Sequence, residues 1–393
     1  MRASCQRAGL ASAVVAVLLS GCSSGSGPTP RPVPGPDVIS VSAAACGTGW
    51  RHPVAGVQTL QIHNAFTSTV EVQLENPANG AVYAQVEGIG PGTTRSMPVN
   101  LGSGQYSFSC SGLNYGTRMG PVIQVPGRIR GGSPVPALTQ DQVNLITARA
   151  HAYVASGLAS LLPQVTALSA DISTGNLAAA RSLWLTAHLT WERLGSAYGM
   201  FDSYDDAIDG TPFGLADGVN DPGFTGFYRL EYGLWHGQSA AEMSEAANQL
   251  TINVRALRTS WPGIELPSTQ AVGDLALRTH EILEDAMQNQ LSGLDDFGSG
   301  TTLATVAAGI DATRAQLGIL RPYLTSRYPQ TQALYSSLDQ LQRLVDAEKT
   351  SRGWTPSSKL SASERGRLDA AAGQTVELLA PIPVIFEQER LVP

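Results

Sequence analysis

The side chains best suited to chemistry in this sequence concentrate between residues 184 and 236. His188 and Glu192 stand four apart, so a helix carries both on one face, with Trp184 and Trp191 beside them. The acidic run Asp202-Ser203-Tyr204-Asp205-Asp206-Ala207-Ile208-Asp209 follows. After a connection comes Phe224-Thr225-Gly226-Phe227-Tyr228-Arg229-Leu230-Glu231, where Tyr228 and Glu231 again share a face. Carboxylates converging from two helices on a phenol make an oxygen-rich pocket of the kind that hard cations such as Fe3+ or Mn2+ prefer. The competing reading is a buried network in which Arg193 and Arg229 pair with Glu192 and Glu231. His236, after Trp235, borders this group. A second cluster, His280-Glu281-Ile282-Leu283-Glu284, reads H-E-x-x-E and lacks the second imidazole of the zinc-protease H-E-x-x-H, so His280 is expected to be a packed or salt-bridged residue. The sequence shows no Ser-His-Asp elbow, phosphate loop or dinucleotide fingerprint.

The elements that must position these residues are helices. From Leu138 onward the sequence reads as amphipathic helix: one opened by the capping box at Thr139-Gln140-Asp141-Gln142 and running to about Pro163, and others near 176–201, 225–236, 240–259, 269–291, 301–325, 329–348 and 361–380. An antiparallel bundle of roughly eight helices is the economical arrangement. The connection from Asp202 to Phe224 is long, and long loops on rigid bundles often carry function. Residues 38–127 read differently, as short alternating runs such as Val57–Ile62, Val70–Leu74 and Tyr106–Cys110 separated by Gly and Pro turns. The expected fold is α+β in two domains: an all-β sandwich over 38–127, a Gly/Pro-rich linker over 128–137 and an all-α bundle over 138–393.

The N-terminus predicts the compartment. Arg2 and Arg7 precede an apolar stretch from Leu10 to Leu19, too short to span a bilayer, that ends in Leu19-Ser20-Gly21-Cys22. This reads as a lipoprotein signal peptide over 1–21, with Cys22 acylated as the new N-terminus. The protein is then expected on the cell membrane, lipid-anchored and facing the extracytoplasmic side. Residues 22–37 are a Ser/Gly/Pro tether. With Cys5 removed and Cys22 lipidated, Cys46 and Cys110 are expected to form one disulfide, as suits an extracytoplasmic protein; two thiolate ligands for a soft metal are the competing reading.

Among the 393 residues 42% are hydrophobic and 15% charged, the profile of a folded soluble protein. The 25 Lys and Arg face 32 Asp and Glu without forming a basic run, so nucleic acid is not an expected partner.

The series W-E-R-L, D-x-x-I-D and F-T-G-F-Y-R-L-E-Y-G-L-W, in this order, resembles the EfeO/EfeM iron-uptake lipoprotein family. The resemblance spans almost the whole mature chain. It implies a cupredoxin-like N-terminal domain, a connector and an imelysin-like helical domain. It also implies a non-enzymatic component that binds iron, Fe3+ or Fe2+, and passes it to a membrane iron permease alongside a haem-peroxidase-like protein. Imelysin itself is filed among metallopeptidases, so a peptidase label can attach by inheritance.

Carried over residue by residue, the resemblance implies metal ligation by Glu192, Asp205, Asp209 and Glu231. The family signature G-x-H-x-x-E reads Gly226-Phe227-Tyr228-Arg229-Leu230-Glu231 here, so Tyr228 replaces the histidine. Gly195 and Gly199 stand where acids often follow, a spacing that would also allow a close helix crossing. Either Tyr228 supplies a phenolate and tilts the site towards Fe3+, or the chain is a degenerate surface binding module without metal. In the β domain, His52, His63, Met97, Cys110 and Met119 lack the close Cys-x-His-x-Met spacing of blue-copper centres. Copper is therefore not expected there, and Glu71 beside Cys46 and Cys110 is the one candidate set left.

Overall fold

The computed structural model describes residues 37–112, 116–132, 134–135, 138–195, 201–263, 270–351 and 353–386. The signal peptide over 1–21, Cys22, the rest of the tether to residue 36, and Gly199 lie outside the described residues.

The N-terminal region is all β. One sheet orders β1 (Val38–Val41), β2 (Gly56–Asn64) and β5 (Thr94–Leu101), with β1 parallel to β2 and β2 antiparallel to β5. The other orders β4 (Val82–Ile89), β3 (Val70–Glu75), β6 (Gly104–Ser111) and β7 (Arg118–Met119), and β8 (Ile123–Val125) also pairs with β6. Alternation explains the shared core: Met97, Val99 and Leu101 of β5 turn inward while their neighbours face water. They join Ile39, Ile62, Val72, Leu74 and Phe108 in one buried cluster. Cys110 of β6 lies in that cluster, disulfide-bonded to Cys46 with Cα atoms 5.8 Å apart.

The C-terminal region is helical: α1 (Gln140–Ser173), α2 (Leu177–Glu192), α3 (Ser203–Asp209), α4 (Gly226–Trp235), α5 (Ala240–Ser260), α6 (Gln270–Asp285), α7 (Thr302–Arg327), α8 (Thr331–Asp346), α9 (Ala362–Leu379) and α10 (Pro381–Phe386). The Thr139 capping box opens α1 as expected, with Gln142 N donating to Thr139 Oγ1 and Thr139 N donating to Gln142 Oε1. The helix does not stop at Pro163. The buried row Val154, Leu158, Leu161, Val165, Leu168 and Ile172 keeps its period through the proline, so packing outweighs the lost backbone hydrogen bond. Two further departures are local. The 202–224 connection contains α3, and a two-stranded hairpin, β9 (Lys349–Thr350) with β10 (Gly353–Trp354), interrupts the helices. No helix among the described residues is long and apolar enough to cross a membrane.

Two cores divide the helical region. One gathers side chains of α1 to α5, among them Trp184, Trp191, Phe227 and Leu250. The other gathers α6 to α10 with the start of α1, among them Leu283, Leu317, Leu338 and Leu379. Beyond Asp285, α6 continues as a π-helical turn over Ala286–Gln290, with Leu291 N bonded to Ala286 O at 2.8 Å. Such turns recur at functional sites because they re-aim side chains. Here Gln290 of the turn reaches the seam between the two cores.

Candidate metal centre

The seam holds a histidine that no salt-free core would select. His188, on the last turns of α2, is 1% exposed and stacks on Trp184 with ring centroids 5.0 Å apart. Phe227 and Tyr228 of α4 close on the same ring at 5.2 and 5.3 Å. Trp184 Nε1 donates to Phe227 O at 2.9 Å, which ties α2 to the start of α4.

Two carboxylates meet this imidazole. Glu192, one turn along α2, brings Oε1 to 3.0 Å from His188 Nε2, and Asp209, at the end of α3, brings Oδ1 to 3.2 Å. Both contacts are within ion-pairing distance, and Nδ1 of the same ring is without a hydrogen-bond partner. Gly226 is what lets α3 come so near. Its φ is +80°, and a Cβ there would stand 2.1 Å from Ile208 O, so only glycine admits the approach that carries Asp209 inward.

Electrostatics register the crowding. Burial opposes charge on His188, yet the charges of Asp209 and then Glu192 outweigh it and hold the imidazole well above its ordinary range. Glu192 is pushed up to about 8, first by burial and then by the charge of Asp209. Burial likewise raises Glu231 to about 7, against the opposing hydrogen bond from Ser299 N, 2.9 Å from Oε1. Asp295 rises to about 7 through burial and the charges of Asp285 and Asp209. A phenol hemmed in this way is harder still to ionise: burial, then Asp209, Asp295, Glu192 and Glu231, push Tyr228 well above its usual range.

The sequence-derived candidates therefore fall in three places. Glu192 and Asp209 converge with His188, and the three ligand atoms lie within 4.8 Å of one another. Tyr228 and Glu231 line an adjoining chamber with Gln290, Asp295 and Ser299. There Tyr228 Oη donates to Asp295 Oδ2 at 3.4 Å, and Gln290 Nε2 donates to the same oxygen at 2.9 Å. Asp205 stays apart, because its Oδ2 accepts from Phe201 N at 2.6 Å and so caps the turn before α3.

The group that could hold an ion thus combines a nitrogen donor, His188, with the oxygens of Glu192 and Asp209, where the sequence suggested oxygen donors alone. A neutral imidazole with two carboxylates suits Fe2+, Zn2+ and related ions, as well as harder ones. His188 was visible as a face-mate of Glu192 but stood outside the candidate ligands; the H-x-x-x-E spacing was its signal. Asp295, Gln290 and Ser299 had no comparable signal, since the π turn and the following loop place them. The competing arginine network does not form as expected. Arg193 Nε pairs with Asp311 at 3.0 Å, and Arg229 Nη1 donates to Gln238 at 2.7 Å. Gly195 does not serve a helix crossing either; it follows α2 at φ +78°, with Gln316 against it. At the second cluster, His280 Nε2 stands 3.5 Å from Glu284 on one helix face, and its Nδ1 lies 3.3 Å from Val376 O.

Fold and site together define a helical bundle that holds a buried histidine and converging carboxylates between two cores. The chain belongs to the imelysin family, whose model, described as imelysin under the name peptidase M75, matches residues 146–382. It is similar to the iron uptake system component EfeO of Yersinia pestis, 25% identical over 331 residues that cover 84% of this chain and 85% of the relative. The EfeO of Escherichia coli strain K12 is 26% identical over 306 residues, covering 77% and 78%. Among solved structures, an imelysin-like protein from Psychrobacter arcticum 273-4 superposes with a TM-score of 0.52 at 14% identity, over 65% of this chain and 98% of the other. That likeness bears on the fold alone.

Proposed function

We propose that this protein is the extracytoplasmic iron-binding component of an iron-uptake system, and that His188, Glu192 and Asp209 seat the ion. The observation that carries the reading is the convergence of these three side chains, with His188 Nε2 3.0 Å from Glu192 Oε1 and 3.2 Å from Asp209 Oδ1. Similarity to EfeO supports iron as the cargo. Tyr228, Glu231 and Asp295 form the surrounding polar shell. Capture is coupled to protons: the site favours the protonated imidazole and raises Glu192, and a group that coordinates a cation must do so without its proton. A fall in pH then favours release.

In this reading the molecule is not an enzyme. Cys22 carries the lipid, residues 22–37 hold the folded part off the membrane, 38–127 is a cupredoxin-like domain and 138–393 the imelysin-like domain. The ion passes to an iron permease, with a haem-peroxidase-like protein as the further partner. The alternative, a module without metal, draws on Tyr228 standing where the resemblance implies a histidine.

Calorimetry with anaerobic Fe2+ and with Fe3+, in buffers of different ionisation enthalpy, separates the two. The proposal expects binding at pH 7 with release of protons. No heat with Fe2+, Fe3+, Mn2+ or Zn2+ at micromolar concentrations would favour the module.

A further inference from the structure

A largely enclosed cavity of about 40 Å³ lies at the seam of the two helical cores, and none of the proposed metal ligands lines it. Val154 of α1 and Leu194 beyond α2 wall it from one core, and Leu275 of α6 and Ile319 of α7 wall it from the other. The rings of Tyr153 and Trp261 join the lining with their polar ends already engaged: Tyr153 Oη donates to Arg193 O, and Trp261 Nε1 donates to His151 O at 3.0 Å. Two polar side chains in the wall are different. Arg278 of α6 makes no ion pair or hydrogen bond among the described residues. Burial pulls its guanidinium below the ordinary range, and the charges of Asp274, Glu281 and Asp205 offset this only in part. Gln316 of α7 is 1% exposed, and its Oε1 is buried without a hydrogen-bond partner. Its amide reaches this place because residue 195 is glycine: a Cβ there would stand 2.1 Å from Gln316 Nε2. A guanidinium and an amide left unpaired in an apolar wall are costly, and a ligand that pairs with both recovers the cost.

We propose that this cavity binds a small monocarboxylate of acetate or propionate size, its two oxygens accepting from the Arg278 guanidinium and the Gln316 amide and its short tail lying among Leu194, Leu275 and Ile319. Charge selects an anion, and the planar fork of arginine matches the two oxygens of a carboxylate. The walls then select among anions. A phosphate or sulfate would bury further oxygens against aliphatic side chains with no donor to meet them. Chloride would leave the apolar part of the cavity unfilled, without the contacts a hydrocarbon tail makes there. Size sets the upper limit: at roughly 10–15 Å³ of probe volume per water the cavity has room for about three waters, or on the order of 90 Å³ of liquid, which four or five non-hydrogen atoms fill. The site is independent of the metal centre proposed above, because it uses none of the same side chains.

Titration of the iron-free full chain with acetate and propionate tests this, read by the NMR signal of the Trp261 indole N–H and by thermal unfolding in buffers matched for ionic strength. Both carboxylates should shift the Trp261 signal with Kd of roughly 0.1–5 mM and raise the thermal midpoint. Phosphate, chloride and 1-propanol at the same concentrations should do neither. Arg278→Gln keeps a polar side chain at a partly exposed position and should weaken propionate at least about 10-fold, while Arg278→Lys, which restores the charge without the fork, should recover part of the loss. Gln316→Met keeps the volume, removes the amide and should weaken propionate by about 3-fold. No response of wild-type protein to either carboxylate up to about 50 mM would overturn the proposal without recourse to any variant. A response equalled by phosphate, chloride or 1-propanol would overturn it too, as would propionate binding undiminished in folded Arg278→Gln.

Discussion

Asp209 Oδ1 lies 3.2 Å from His188 Nε2 although the two residues belong to different helices, α3 and α2. The centre is therefore a tertiary feature. It exists only while α3 is docked, and Gly226 clears the space that the Ile208 carbonyl of α3 occupies.

The charge state of His188 follows from that contact. Burial alone would depress the imidazole, and Asp209 with Glu192 reverses the sign. Asp209→Asn should lower the His188 pKa, read by NMR titration of the ring nitrogens of the iron-free protein. An unchanged titration would mean that Asp209 does not govern the imidazole.

Stability of the iron-free protein should decline with rising pH. Glu231 and Asp295 are both raised to about 7, so the folded state binds more protons than the unfolded state from about pH 4 to 7, and unfolding free energy falls across that window. Each carboxyl contributes a loss of at most roughly 3–4 kcal/mol. His188, raised above its ordinary value, adds stability at low pH that disappears as pH climbs through its folded pKa. The thermal midpoint should drop between pH 5 and pH 8, and Glu231→Gln or Asp295→Asn should flatten the decline. A midpoint that rises over this interval would contradict the buried-carboxyl account.

Tyr228 should remain a phenol. Its hydroxyl is engaged with Asp295, and burial with four nearby acids disfavours the phenolate. Tyr228→Phe should then change iron affinity by no more than about 3-fold, or about 0.7 kcal/mol. Addition of Fe3+ should give no phenolate-to-iron charge-transfer band. A visible band that vanishes in Tyr228→Phe would return the phenolate to the ligand set.

Loss of the disulfide should weaken the β region and spare the metal centre. The bridge closes a loop with a sequence separation of 64, for which chain entropy gives roughly 4 kcal/mol. Cys46→Ala with Cys110→Ala should lower the first unfolding transition and leave iron affinity within about 2-fold, because every proposed ligand lies between residues 188 and 209. A large loss of affinity would mean that the two regions are coupled.

Much of the fold was legible because its signals are local. The period-2 runs of β3 and β6 and the capping boxes at Thr139, Ser239 and Ser361 are written in adjacent residues. What failed was tertiary: Pro163 looked like a stop until its neighbours' burial was known, and α3 was hidden in a connection with too few residues to show a period. The site divides in the same way. Glu192 and Asp209 were among the candidates and converge, while His188 entered only as a face-mate of Glu192 and stood outside the candidate ligands. Asp205 was included because the resemblance implies it, and nothing in the sequence reveals that its carboxylate accepts from Phe201 N.

The central claim is that His188, Glu192 and Asp209 bind iron, and equilibrium dialysis against anaerobic Fe2+ with metal analysis of the protein tests it most directly. The account predicts one ion per wild-type chain and, for Glu192→Gln combined with Asp209→Asn, affinity weaker by about 100-fold or more, close to 2.7 kcal/mol. Wild-type protein that leaves dialysis without iron, or a double variant that retains it undiminished, would contradict the account.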